Sequence, residues 1–224
     1  MNFQLPQMLS EAVQVKGGVR SNPLFERHRE TRPESRPGDL SGTGRIAGVM
    51  ILLYPEQECP HLLLTRRQGT LRNHAGQMSF PGGSALARES VREAALRETH
   101  EEIGVERDRI HLMGSLNKIY IPPSDFTVTP FLGWCQRKPS IVMDTSEVAE
   151  VISVPLNHFF DARNIREGIV ANGPSNYKVP YYRVGGTEIW GATALMIDDL
   201  VSRLQALHAN AHRLSSSNTQ RCKN

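Results

Sequence analysis

The chain has 224 residues, with 26 Lys and Arg against 23 Asp and Glu, a formal net charge of +3 and 39% hydrophobic content. That length suits one sizeable domain, and the composition is that of an ordinary water-soluble globular protein, which excludes global disorder, collagen-like repeats and a disulfide scaffold. The charge is too balanced to demand a nucleic-acid partner, and no apolar run approaches the roughly 20 residues that cross a bilayer.

At the N-terminus there is no apolar core of a secretory signal, and Glu11, Glu26 and Glu30 argue against a transit peptide, so a cytoplasmic protein is the expectation. Residues 1–44 read as an N-terminal arm. Its stretch 16–44 is rich in Arg, Pro, Gly and Ser, with Arg27, Arg29, Arg32 and Arg36 among Glu26, Glu30 and Glu34, which predicts a mobile or loosely docked segment. The folded domain is expected over 45–210 and a polar, fraying tail over 211–224. Cys59, Cys135 and Cys222 are odd in number and widely spaced, and read as free thiols.

Within the domain, strand candidates in chain order are Ile46–Tyr54, His61–Arg66, Ile110–Lys118, Phe126–Trp134, Val148–Val154 and Tyr177–Val184, each bounded by turn residues. Helical spacing marks Val91 to Ile103 and Thr193 to Leu207, the latter through Ile197, Leu200, Val201, Leu204 and Leu207. Strands outnumber helices without alternating strictly with them, so the expected fold is a mixed sheet with helices on its faces rather than a doubly wound parallel sheet.

The first helix carries the chemistry. Ser90 and Glu93 form a capping box at its start and Gly104 a stop at its end. Glu98, Glu101 and Glu102 stand at i, i+3 and i+4, so their carboxylates project from one face and repel by about 0.2–0.5 kcal/mol per pair. Arg97 can pair with Glu101 or Glu93, but one guanidinium cannot neutralise the whole set, whereas a divalent cation can. Oxygen-only ligands favour Mg²⁺ or Mn²⁺. Just upstream, Phe80-Pro81-Gly82-Gly83 permits a tight turn that brings a strand beside the helix.

Gly83, Glu89, Arg97-Glu98, Glu101-Glu102 and Gly104-Val105 fall at the spacing of the Nudix box, so this stretch resembles that of the Nudix hydrolases, with Thr99 standing where the pattern prefers an aliphatic residue. The resemblance implies an α/β/α sandwich around a mixed sheet. It also implies hydrolysis of a phosphoanhydride, with Glu98, Glu101, Glu102 and Glu89 as metal ligands and Arg97 orienting the carboxylates. Glu98 and Arg97 then belong to the catalytic set. Glu101 is the first candidate for general base, with Glu147 or Glu150 as alternatives.

Upstream, Leu63-Leu64-Thr65, Arg67, Arg72, His74-Ala75-Gly76-Gln77 and Phe80 to Gly83 resemble the coenzyme A pyrophosphatase branch of that family, except that Gln68 replaces a small residue. Tyr120 to Phe126 and Ile189 to Ala194 also resemble that branch. Coenzyme A or a derivative is therefore the implied substrate, giving 3′,5′-ADP and 4′-phosphopantetheine or its acyl form. Arg66, Arg67 and Arg72 form a basic cluster suited to phosphates, and with His74, Gly82 and Gly83 they are the candidate substrate contacts. The competing readings are a Nudix enzyme for ADP-ribose, dinucleotides or nucleoside triphosphates, and a non-catalytic nucleotide- or RNA-binding module using the basic arm. A small nucleotide is the expected partner, without a membrane, in a monomer or homodimer.

Overall fold

A computed structural model describes residues 5–15, 22–31, 44–70, 76–172 and 175–221. Its long central strand β1 (Arg45–Glu56) pairs antiparallel with β2 (Cys59–Arg67) through a tight turn and parallel with β7 (Phe126–Trp134). Around them β3 (Met78–Ser79), β4 (Gly82–Ser84), β5 (His111–Ser115), β6 (Ile119–Ile121) and β8 (Val148–Pro155) complete an eight-stranded mixed sheet. A second sheet of three antiparallel strands holds β9 (Ile165–Asn172), β10 (Ser175–Val184) and β11 (Thr187–Trp190).

Alternation along β1 explains the layers. Met50, Leu52 and Tyr54 face α3 (Val91–Ile103), where Ala95, Ile103 and Val105 complete one core. Ile51 and Leu53 face the opposite way, onto Ile197, Leu200, Val201 and Leu204 of α4 (Gly191–Arg221). The expected sandwich around a mixed sheet is therefore the observed one.

Local signals set the limits of α3. The Ser90 hydroxyl accepts from Glu93 N–H (3.2 Å), and Ser90 N–H donates to the Glu93 carboxylate (2.9 Å). Gly104 closes the helix at φ +70°, its N–H donating to His100 O (2.8 Å), a left-handed cap that glycine adopts without a Cβ penalty. Thr99 is fully buried, and its hydroxyl donates to Ala95 O at 2.6 Å, which satisfies the polar atom the aliphatic pattern lacks.

Two features go beyond the sequence expectation of a mobile or loosely docked arm and a fraying tail. Residues 22–31 of the arm are docked: Asn22 caps α2 (Pro23–Thr31) by accepting from Leu24 N–H (3.0 Å), and Phe25 is fully buried, stacked 5.3 Å from the Tyr182 ring. Arg29 pairs with buried Asp198 of α4 at 2.9 Å. One aromatic side chain and one guanidinium with an interior partner outweigh the polar composition around them. An earlier helix, α1 (Leu5–Ala12), packs on α4, where buried Arg203 donates to Ala12 O (3.2 Å) and Val15 O (2.6 Å). The rest of the 16–44 stretch lies outside the described residues, apart from Gly44. The second departure is the tail, which stays helical to Arg221.

Cys59 and Cys135 are free thiols, and Cys222 lies outside the described residues. Among the described residues no helix is long and apolar enough to cross a membrane. Phe25→Ala should lower the unfolding free energy by about 3 kcal/mol, read from urea denaturation, because it empties a site packed on Tyr182.

Candidate functional site

Close backbone approach shapes the site. A Cβ on Gly48 would stand 2.0 Å from Val91 O, so that position must be bare for α3 to lie where it does, and one on Gly83 would stand 2.5 Å from the Glu98 carboxyl carbon, so a side chain there would displace that carboxylate. Gly82 has φ +151°, and a Cβ there would meet Gly48 O at 2.4 Å. Its N–H donates to Glu102 Oε2 at 3.2 Å, so the glycine turn holds the last glutamate of the helix directly.

Arg97 organises the others. Its Nε and Nη2 donate to the two oxygens of Glu89 (2.9 and 3.0 Å), its Nη1 to Glu98 (2.8 Å) and Glu101 (2.7 Å), and Nη2 also to Ser84 O (3.1 Å). Its five N–H groups engage three carboxylates at once, yet its single positive charge leaves the set net negative, as the sequence reading expects. Glu102 is not among them. It is only 3% exposed, with Arg67 Nη1 at 3.6 Å.

These contacts separate the proton affinities. The Arg97 hydrogen bonds, then the Leu86 N–H, hold Glu89 below the usual carboxylate range. Burial raises Glu98, with Arg97 opposing. Burial pushes Glu102 up to about 8, against the opposing Arg67 charge and Gly82 N–H.

Glu98, Glu102, Gly82, Gly83 and Arg67 line a cavity of about 770 Å³, together with Glu147. Glu101 lies outside its lining, with its side chain 54% exposed. Glu89 likewise faces Arg97 rather than the cavity. Arg66 is turned elsewhere: Nε donates to Glu150 (2.9 Å) and Nη2 to the Thr187 hydroxyl (2.8 Å), and the register of β2 against β8 shifts between Arg66 and Arg67, separating the two neighbours. This removes both Arg66 and Glu150 from the cavity lining. Arg72 and His74 lie outside the described residues.

Among the described residues no group of three His, Cys, Asp or Glu side chains is arranged to hold a metal ion. The donors that do converge are all oxygen, which suits a hard cation that keeps several waters and takes phosphate oxygens as further ligands. The far walls of the cavity come from residues that helical or strand periodicity gave no reason to choose: His28 of α2, Val170, Val179, Trp190, Leu195 and Met196. Of these, Val179 lay in the strand candidate Tyr177–Val184, Leu195 and Met196 in the helix candidate Thr193 to Leu207, and Trp190 in the segment Ile189 to Ala194, but none was chosen as a site residue. His28 had a signal in its spacing three residues beyond Phe25, on the same helix face.

A mixed sheet between helical layers, with a glycine turn feeding an acidic helix beside a cavity, defines an α/β protein built to bring carboxylates to a small molecule. The family model described as NUDIX domain matches residues 44–172. A protein named "Uncharacterized Nudix hydrolase NudL" from Yersinia enterocolitica is 33% identical over 197 residues, covering 88% of this chain and 99% of its own. "Nudix hydrolase 3" of Caenorhabditis elegans is 28% identical over 180 residues, covering 73% of this chain and 75% of its own. A solved MutT protein from Methanosarcina mazei Go1 is similar at 18% identity and TM-score 0.47, covering 76% of this chain and 99% of that one. The chain belongs to the Nudix family and is a Nudix hydrolase.

Because burial raises the Glu102 proton affinity in the folded state, that carboxyl stays protonated there while the unfolded chain has already released its proton. Folded protein therefore binds more protons between the ordinary carboxylate range and about 8, and stability falls as pH rises through that window. In EDTA, thermal unfolding of the metal-free protein should show this decline, and Glu102→Gln should flatten it.

Proposed function

We propose that the protein hydrolyses the pyrophosphate bond of coenzyme A or a derivative. Water adds at one phosphorus and the bridging P–O bond breaks, leaving 3′,5′-ADP and 4′-phosphopantetheine or its acyl form. The observation that carries this reading is a convergence on one cavity: the box glutamates Glu98 and Glu102, the loop Tyr120 to Ser124 with Phe126, and the segment Trp190 to Thr193 all line it. The last two are the segments whose sequence resembles the coenzyme A pyrophosphatase branch, and they lie far from the box along the chain.

Nudix hydrolases generally use a divalent ion such as Mg²⁺. The oxygen-only donors here fit Mg²⁺ or Mn²⁺, held by Glu98 and Glu102, with Glu101 and Glu89 contributing through their shared guanidinium. Bound there, the ion would neutralise charge on the two phosphates and acidify a water.

The chain's own residues do the rest. Arg97 fixes Glu98 by a 2.8 Å hydrogen bond and holds Glu101 and Glu89 against it. Arg67, lining the cavity, suits a phosphate oxygen. Glu147 is favoured over Glu101 and Glu150 as the proton acceptor for the attacking water, because it lines the cavity while Glu101 is committed to Arg97 and Glu150 to Arg66. Its backbone is held from the residue that follows β2, where Gln68 N–H donates to Glu147 O at 2.8 Å.

The test is product identification after incubation with coenzyme A, NADH and ADP-ribose, with and without Mg²⁺ or Mn²⁺. The expected result is metal-dependent release of 3′,5′-ADP from coenzyme A with the other two turned over slowly; preference for ADP-ribose or NADH overturns the reading. Glu98→Gln and Glu102→Gln should each lower kcat by about 100-fold or more while circular dichroism stays unchanged. Glu147→Gln should lower kcat with KM preserved.

A further inference from the structure

Six consecutive residues, Ile119 to Ser124, line the cavity, yet the strand among them, β6, is three residues long and among the described residues pairs with β7 alone. So short a strand, paired on one side, holds its place only with help from its neighbours. The help comes from α4. Asn117 N–H, two residues before β6, donates to Asp199 Oδ2 at 3.4 Å, and the other oxygen of Asp199 accepts from Arg203 Nε at 2.9 Å. Arg203 Nη1 donates in turn to Ala12 O (3.2 Å) and Val15 O (2.6 Å) at the end of α1. The Arg203 side chain is only 4% exposed. One carboxylate and one guanidinium thus tie α1, α4 and the turn before β6 together.

Helix α1 also reaches the root of that wall by packing. Its neighbour Val13 sits at Gly114 of β5, where a Cβ would stand 2.9 Å from a valine methyl, where φ is +146° and where the β5–β7 register shifts. Leu9, Ala12, Leu116 and Ile119 share one core cluster. A helix of eight residues is not stable by itself, so α1 exists because it is docked, and Arg203 supplies donors to the carbonyls left over at its end. The adjacent Asp198 holds α2 through Arg29 at 2.9 Å, so two consecutive carboxylates of α4 anchor the two helices of the arm. Both α1 and α4 lie outside the residues that the NUDIX model matches.

We infer that Arg203 is a positioning residue for substrate binding: through Asp199 and Asn117 it transmits the docking of α1 to the wall Ile119–Ser124, so the first helix of the chain sets the fit of a wall it does not touch. Removing a buried guanidinium strands its carboxylate partner, and the turn before β6 then loses its hold on α4. The box glutamates stand on α3, packed on the opposite face of β1, and keep their own anchors. Binding is therefore weakened more than chemistry. The inference holds for whichever diphosphate the site takes and does not rest on coenzyme A.

The test uses the full chain and two readouts: hydrogen exchange over residues 116–124 in EDTA, and kcat and KM with Mg²⁺ for the fastest substrate among coenzyme A, NADH and ADP-ribose. Arg203→Met should raise KM by about tenfold with kcat within about threefold of wild type. It should also speed exchange in α1 and over 116–124 while α3 exchanges as in wild type. Arg203→Lys, which keeps a charge for Asp199, should recover most of both effects. If Arg203→Met does not fold, Leu9→Ala decides, because it loosens α1 without touching the polar relay and should raise KM and 116–124 exchange together. A residue that only stabilises the fold would lower the thermal midpoint and leave KM and 116–124 exchange in place, and that result overturns the inference, as does faster exchange with an unchanged KM. Preference for ADP-ribose or NADH overturns the proposed function alone, since KM is then read on that substrate.

Discussion

Helix α3 reaches its place because the backbone position facing it at Gly48 carries no side chain. With a Cβ 2.0 Å from Val91 O there, the strand would have to retreat from the acidic helix, while a Cβ on Gly83, 2.5 Å from the Glu98 carboxyl carbon, would push that carboxylate aside. The same closeness lets the peptide N–H of Gly82 hold a carboxylate that is otherwise out of water. Spacing along the helix puts Glu98 and Glu102 on one face, but it is this approach of strand to helix that turns the face into a wall of the cavity. A helix standing even an ångström further off would leave those groups solvated and their proton affinities ordinary.

Charge compensation along the acidic segment is uneven as a result. Glu89 has a two-point contact with Arg97 and is held ionised, whereas Glu102 has a distant guanidinium and one N–H against nearly complete burial and is pushed toward its neutral form. Carboxylates on one short segment thereby acquire different proton affinities by environment alone. Ion pairing around Glu89, Glu98 and Glu101 fixes geometry, since a guanidinium with several acceptors has little freedom to leave any of them. The buried group accepts one N–H from Gly82 and has Arg67 only at 3.6 Å, so it keeps more unengaged acceptor capacity than Glu89.

Much of this architecture is legible in the amino-acid sequence. The limits of α3 and of β7 agree with the sequence reading because they are written locally, in a capping box and left-handed glycine for one and in flanking turn residues for the other. The strands β3 and β4, two and three residues long, are too short to show a period and exist only because β2 and β1 offer them partners. Helix α2 hid for the opposite reason: its composition is that of a solvated leader, and only the burial of Phe25 reveals the docking. Within the site, adjacent arginines read as one basic cluster, yet an irregular register sends Arg66 to Glu150 and Arg67 to Glu102. No pattern in one sequence announces a bulge of that kind.

Arg66 nevertheless has a consequence for the cavity it does not line. Its Nη2 donates to Thr187 at the start of β11, and Thr193 at the start of α4 donates to Met78 of β3, so two polar bonds fasten the second sheet and the last helix to the edge of the first. The carboxylates of the lining come from α3 and the residue before β8, and Val170, Val179, Trp190, Leu195 and Met196 from the second sheet and α4. Arg66 and Thr187 stand outside the lining, whereas Thr193 and Met78 belong to it, so one bond holds the seam from behind the wall and the other from within it. The acidic face and the apolar walls are then distinct features of one cavity, the first drawn mainly from α3 and the second from side chains contributed by both ends of the chain.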